Sequence, residues 1–104
     1  MWLVDLGLAA KVRPALVLSV PFEDTDRAPV TLVPHTTSLR GSRFEVSVPV
    51  RFLRPGGFNA QGLVTVPVVK LIRRLGRLEA QQFAVVELKV IAWLGLPHCQ
   101  GDSS

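Results

Sequence analysis

Cysteine is almost absent from this sequence, with Cys99 as its single occurrence. One cysteine excludes a disulfide framework within the chain and a metal site built on several thiolates. The two histidines, His35 and His98, do not complete a convincing site with it. We therefore predict neither a bound metal nor another cofactor.

Long hydrophobic runs are also missing. No stretch of ~20 uncharged apolar residues, the length that crosses a bilayer as a helix, is present. A basic segment followed by a short apolar one, the mark of a secretion signal, is missing as well. These absences leave membrane spanning and export unsupported, and we expect a cytoplasmic protein.

Charged residues make up only 19% of the 104 residues, whereas hydrophobic residues make up 48%. A chain of this length forms one domain with a modest core. We assign residues 1–96 to that domain and expect residues 97–104 to form a flexible tail. A surface with so little charge suggests that part of it is buried against a partner, such as a second copy of the chain.

The net charge of +4 is unevenly distributed along the chain. Between Thr36 and Arg77, eight arginine and lysine residues stand against Glu45 alone, which makes that region +7 and the remainder −3. A basic region of this kind suits an anionic ligand such as nucleic acid. Arginines scattered for solubility are the alternative explanation that charge alone leaves open.

Two short apolar runs flank a polar segment in the first third of the chain. The runs cover residues 13–19 and 30–34, and the polar segment covers residues 23–27. This pattern predicts an antiparallel pair of strands joined by a turn. With the turn centred near Thr25, Arg13 would lie opposite Thr36 or Thr37. The sequence thus predicts that a guanidinium and two hydroxyls share one rim of a sheet.

Further strand and turn signals follow. Residues 44–52 alternate apolar and polar side chains, which predicts a half-buried strand. Residues 62–69 predict another strand, and residues 70–78 are ambiguous between helix and strand. Together these elements predict a mainly β domain with a C-terminal helix, of the α+β class, built as a small twisted barrel or sheet.

The predicted helix covers residues 79–94 and ends at Gly95. Its apolar stripe is broader than one small sheet can cover, which again suggests a dimer contact. Residues 1–6 predict a further strand, the first of the chain. Trp2 in that strand and Trp93 in the helix are predicted core residues.

The order and spacing of several motifs resemble those of the MazF/PemK toxins, the endoribonucleases of bacterial type II toxin–antitoxin pairs. The central motifs are Arg13-Pro14 in the second predicted strand and Pro34-His35-Thr36-Thr37 at the end of the third. The matching segments are residues 2–7, 13–19, 33–38, 44–46, 75–78 and 93–96. The resemblance therefore covers nearly the whole chain.

This resemblance implies an SH3-like barrel with a C-terminal helix, assembled as a homodimer. It also implies metal-independent, sequence-selective cleavage of single-stranded RNA, and inhibition by a cognate antitoxin whose acidic, flexible tail covers the RNA groove. By motif, the family's catalytic arginine and threonine correspond to Arg13 and Thr36. The further candidates for RNA binding are Thr37, Ser38, Arg40, Arg43, Arg73 and Arg74.

Three features bear on the chemistry of such a site. Many family members carry a glutamate in a longer first loop, whereas residues 7–12 contain no carboxylate. His35 has an unperturbed pKa near ~6.5 that would suit a general base, but alternation along a strand points it away from Thr36. Because tyrosine is absent, base stacking would fall to Phe22, Phe58 or a tryptophan.

Two other functions remain open from the sequence. The first is a non-catalytic SH3-like module that binds RNA or protein, which the short first loop would favour. The second is a toxin of the same fold class directed at DNA gyrase, for which Arg13 and Thr36 would be dispensable.

Overall fold

The computed structural model describes residues 1–7, 12–19 and 28–97. These residues form seven strands and one α-helix, which confirms the predicted class. The elements are β1 (Trp2–Asp5), β2 (Val12–Val17), β3 (Pro29–Thr36), β4 (Glu45–Val46), β5 (Gly57–Asn59), β6 (Val64–Pro67), β7 (Leu71–Arg74) and α1 (Ala80–Leu94). Short 3₁₀ turns at Ala60–Gly62 and Val68–Lys70 flank β6. The predicted turn at residues 23–27 and the tail from residue 98 onward lie outside the described residues.

Strand β3 organises the sheet because it pairs with three other strands. Along one edge it is antiparallel to β2, with Ala15 opposite Pro34. Along its other edge the first half pairs with β6, and the last two residues, His35 and Thr36, pair with β5. Six of the seven strands follow the order β4-β5-β3-β2-β1-β7, and β6 pairs with β3 beside this path. The end of β3 therefore lies where the two parts of the sheet meet.

The register between β2 and β3 decides which hydroxyl faces Arg13. Ala15 and Pro34 are the last paired residues at this end of the two strands, and extending their register by two residues places Arg13 opposite Thr36. On its other side Arg13 is paired with Val4 of β1. The predicted antiparallel pairing is thus confirmed, and it selects Thr36 over Thr37.

Two apolar clusters lie on opposite faces of this sheet. The larger one includes α1 and is formed by Met1, Leu16, Val33, Val46, Val48, Phe58, Ala60, Leu78, Val86 and Val90. The smaller one is formed by Val4, Ala15, Val30 and Leu32. Because alternate residues of β2 and β3 enter different clusters, both faces of these strands are fixed by burial.

The strand predicted over residues 44–52 was wrong in its extent, since only Glu45–Val46 pairs with a neighbour. The alternation of burial continues beyond it, with Val48 buried and Pro49 exposed. Pro49 has no N–H to donate to a ladder, and its carbonyl instead accepts a 2.7 Å hydrogen bond from Gln82 Nε2 of α1. The period therefore reported side-chain burial without reporting strand pairing.

The ambiguous region 70–78 contains strand β7, which pairs with β1. The helix that follows begins after Glu79, whose side chain forms a capping box with Gln82. It ends at Gly95, which adopts the left-handed conformation at φ +69°. In the described ranges no helix combines the length and apolar character needed to cross a membrane.

Trp93 was wrongly predicted to be a core residue. It is 40% exposed and meets Phe44 edge to face, with ring centroids 5.1 Å apart. Trp2, in contrast, packs against the smaller cluster while remaining partly exposed. The breadth of the helical stripe therefore exceeds what this chain itself covers.

Candidate functional site

A groove of about 450 Å³ opens beside the end of β3. We call it the Thr36 groove, and its polar lining consists of Arg13, Thr36, Ser38, Arg40, Glu45 and Asn59. Four of the residues proposed from the sequence, Arg13, Thr36, Ser38 and Arg40, are therefore brought together here. The groove is open to solvent and combines basic side chains with hydroxyls.

Two adjacent glycines let the neighbouring segment pack closely against the backbone of Thr36 and Val46. A Cβ atom on Gly56 would clash with the carbonyl oxygen of Thr36, and one on Gly57 would clash with the carbonyl oxygen of Val46. The Thr36 Oγ1 accepts a 3.0 Å hydrogen bond from the N–H of Ser38. A hydroxyl that accepts this bond keeps its hydrogen for donation to a ligand.

Arg13 reaches the same groove from β2. Its position between β1 and β3 fixes the start of its side chain, and the residue is half-buried. A guanidinium stays charged at physiological pH and presents donors in a fork that matches two oxygens of a phosphate. Arg13 and Thr36 together therefore offer donors to one tetrahedral anion.

Glu45 is a site residue that the sequence analysis missed. Its Oε1 and Oε2 each accept from the N–H of Arg40 at 3.0 Å, and Oε1 also accepts from the N–H of Ser42 at 2.9 Å. The Arg40 N–H in particular lowers the pKa of this carboxyl group. The ionised carboxylate thus anchors the loop at residues 40–42, which forms one wall of the Thr36 groove. The sequence feature that could have indicated this role is that Glu45 is the single acidic residue in a strongly basic region.

The opposite face of β3 borders a second groove, of about 590 Å³. We call it the Arg73 groove, and it is lined by Arg13, Thr37, Phe52, Arg54 and Arg73, among others. Thr37, the first residue after β3, lines this groove and not the Thr36 groove. Thr37 and Arg73 are thus separated from Thr36, while Arg13 borders both grooves.

His35 also lies on the side of the Arg73 groove, as alternation predicted. The residue is 3% exposed, and its ring meets Phe58 edge to face at 5.2 Å. In the described part of the chain, its Nε2 atom is buried without a hydrogen-bond partner. Burial lowers the pKa of the imidazole. His35 is therefore a neutral core residue at pH 7 and does not face Thr36.

The remaining arginines do not form the continuous stripe that adjacent positions suggested. Arg73 and Arg74 are neighbours on β7 and point to opposite faces. Arg74 borders a different cavity, beside Trp2 and Arg77. Arg43 lies over the ring of Phe44, with its guanidinium carbon 4.7 Å from the ring centroid. Neither Arg43 nor Arg74 is among the residues that line the two grooves.

The structure also changes which aromatic side chains are available for base stacking. Phe58 is 1% exposed and is therefore a core residue, while Phe22 lies outside the described residues. Phe52, which the sequence analysis did not single out, is 37% exposed and lines the Arg73 groove.

Within residues 1–7, 12–19 and 28–97, no three His, Cys, Asp or Glu side chains cluster in a way that could hold a metal ion.

The fold and the grooves define a small antiparallel β domain with a groove lined by arginines and hydroxyls and a C-terminal helix. Residues 1–94 match the model of the PemK-like, MazF-like toxins of type II toxin–antitoxin systems. The chain belongs to this toxin family. The resemblance carried by the Arg13-Pro14 and Thr36-Thr37 motifs is thereby confirmed.

Solved structures support the same assignment. The chain is 28% identical to the Mycobacterium tuberculosis toxin MazF-mt6, covering 93% of this chain and 97% of that one with a TM-score of 0.76. It is 25% identical to a chain of the MazE-MazF crystal structure from Deinococcus radiodurans, covering 92% and 93% with a TM-score of 0.68. A mycobacterial endoribonuclease in complex with its cognate antitoxin shares the fold at 24% identity, with coverage of 93% and 92% and a TM-score of 0.74. A search of the curated proteins gave no significant match.

Proposed function

We propose that this protein is a cytoplasmic, metal-independent and sequence-selective endoribonuclease that cleaves single-stranded RNA, including mRNA. The observation that carries the proposal is the meeting of Arg13 and Thr36 in one groove. These are the two residues that correspond to the family's catalytic pair. The match to the MazF-like toxin family and the similarity to solved MazF toxins support the proposal, because the resemblance to this family implies RNA cleavage.

The reaction is an internal transesterification. The 2′-hydroxyl attacks the neighbouring phosphorus, the bond to the 5′-oxygen breaks, and the products carry a cyclic phosphate and a free 5′-hydroxyl. Negative charge grows on the non-bridging oxygens of the phosphorus in the transition state. Arg13 can direct two N–H groups at those oxygens, and Thr36 can donate its hydroxyl hydrogen to the same phosphate and hold it in line.

Neither nearby proton acceptor has the position of a general base. His35 faces the other side of β3 with its Nε2 buried. Glu45 uses both carboxylate oxygens to hold backbone N–H groups of its own loop. We therefore assign stabilisation of the transition-state charge to Arg13 and Thr36 as the main contribution of this site.

Two partners belong to this proposal. A cognate antitoxin with an acidic tail fits the basic Thr36 groove, and one of the related structures is itself a complex with its cognate antitoxin. A homodimer would cover the apolar side chains that α1 and its end expose. These are Val85, Leu88, Trp93, Leu94 and Leu96, with exposed fractions of 42%, 46%, 40%, 48% and 55%.

The proposal is tested by incubating the purified protein with a long single-stranded RNA in EDTA. Discrete fragments that end in a cyclic phosphate are the expected product. Bound but intact RNA at an excess of protein would instead identify a non-catalytic binding module. Arrest of DNA replication before any loss of RNA, on induction in cells, would point to a gyrase-directed toxin.

A further inference from the structure

We propose that the Arg73 groove is a second phosphate-binding site, which holds the RNA backbone next to the phosphate in the Thr36 groove. This inference rests on the proposed function and extends it to the path of the substrate. It assigns a role to Arg54, Phe52 and Arg73, on the face of β3 opposite Thr36.

The charge of the Arg73 groove favours an anionic ligand. Arg54 and Arg73 are exposed, Arg13 is half-buried, and all three line the groove. The described residues that line it include no aspartate or glutamate. Guanidinium groups gathered in this way attract a polyanion and can bind its phosphates through paired N–H donors.

The position of Arg13 makes the two grooves neighbours. Its side chain lines both of them. Thr36 and Ser38 face one groove, and Thr37 faces the other. A ligand that crosses the rim of the sheet at Arg13 therefore passes directly from the first groove into the second.

The groove also offers an apolar wall for a base. Phe52 is 37% exposed, and Leu3 and Leu53 lie beside it. The ring of Phe52 packs so closely on Gly76 that a Cβ atom at that glycine would clash with it. A ring fixed against the backbone is a suitable platform for stacking an unpaired base.

These features favour RNA over an acidic peptide as the occupant. RNA carries a phosphate at every link, so one strand can place successive phosphates in both grooves. The stacking surface beside the arginines suits the bases that alternate with those phosphates. An acidic peptide that occupies the Arg73 groove alone is the competing outcome of the test.

The test uses a single-stranded RNA with 2′-O-methyl groups, whose blocked nucleophile prevents cleavage. Its binding is measured over a range of salt concentrations for the wild type and for the Arg54→Ala/Arg73→Ala double variant. Each lost phosphate contact should reduce the slope of log K against log salt by about 0.7, so the double variant should lose about 1.4. A 2′-O-methyl dinucleotide, with one phosphate, should bind both proteins equally because the Thr36 groove suffices for it.

A second double variant, Arg51→Ala/Lys70→Ala, is the matched control. It removes the same charge from exposed positions that do not line either groove, and its slope should match that of the wild type. Equal slopes for the two double variants would overturn the inference. It would also be overturned if the Arg54→Ala/Arg73→Ala variant bound an oligoglutamate peptide more weakly than the wild type does but bound RNA equally well. If either result were found while the wild type still cleaved ordinary RNA, the proposed function would be retained and only the second site would be rejected. A wild type that neither binds nor cleaves RNA would overturn both.

Discussion

The buried imidazole of His35 should make the protein less stable in acid. Its Nε2 lacks a hydrogen-bond partner among the described residues, and burial lowers its pKa from 6.5. As the pH falls below 6.5, the unfolded chain takes up a proton at this residue before the folded chain does. Stability that is fully present above that pH is therefore lost as the pH falls toward the lowered pKa of the folded state.

The size of this effect has a thermodynamic limit. One proton changes the free energy of unfolding by at most about 1.4 kcal/mol per pH unit. For a domain of roughly this size, each kcal/mol corresponds to about 4–8 °C in Tm. Through His35 alone, a fall of one pH unit below 6.5 can therefore lower Tm by at most several degrees.

The assay compares the wild type with His35→Leu by thermal unfolding between pH 7 and pH 5. Every other titratable group, including His98, is present in both proteins, so the difference in pH dependence isolates His35. We expect the wild type to lose more stability than the variant on acidification. Parallel curves would refute the argument, since they would mean that His35 binds protons equally in the folded and unfolded states.

Three further predictions concern the site and its support. Glu45→Gln should loosen the loop at residues 40–42 and slow RNA cleavage, and acidification of the wild type through the lowered pKa of Glu45 should do the same. Amide hydrogen exchange measures the loop: faster exchange is expected, and unchanged exchange would contradict the anchoring role of Glu45. Thr36→Val should slow cleavage by about 100-fold, as loss of one transition-state donor does, whereas Thr36→Ser should restore most of the rate; equal rates for Val and Ser would exclude a role for the hydroxyl. Phe58→Ala should lower the free energy of unfolding, measured in urea, by about 3–5 kcal/mol, because this ring is 1% exposed. Val69→Ala, at a residue 62% exposed, should change it by at most about 0.5 kcal/mol, and similar losses for both variants would contradict the assignment of the core.

The pairing of Arg13 with Thr36 was predictable because it depends on a local hairpin. Two strands that follow each other along the chain have a register set by the turn between them and by the burial of alternate residues. The same alternation correctly placed His35 away from Thr36. Motif order then connected this pair to a family, which the match over residues 1–94 confirms.

The rest of the site depends on contacts that the periodicity of strands and helices does not encode. Glu45 belongs to the site because the loop at residues 40–42 folds back onto its carboxylate. Strand β5 escaped prediction because its three residues begin with a glycine and show no period. Arg73 and Arg74 were grouped because they are adjacent in a region whose pattern is ambiguous between helix and strand. In strand β7 they point to opposite faces, which the ambiguous pattern did not predict.

The most direct test of the central claim is the rate at which Arg13→Ala cleaves RNA. The variant is compared with the wild type and with Arg51→Ala, which removes an exposed arginine outside both grooves. Loss of the Arg13 guanidinium should reduce kcat by at least about 100-fold, with Arg51→Ala retaining the wild-type rate. Cleavage by a folded Arg13→Ala protein at the wild-type rate, with the same cyclic phosphate product, would contradict the account.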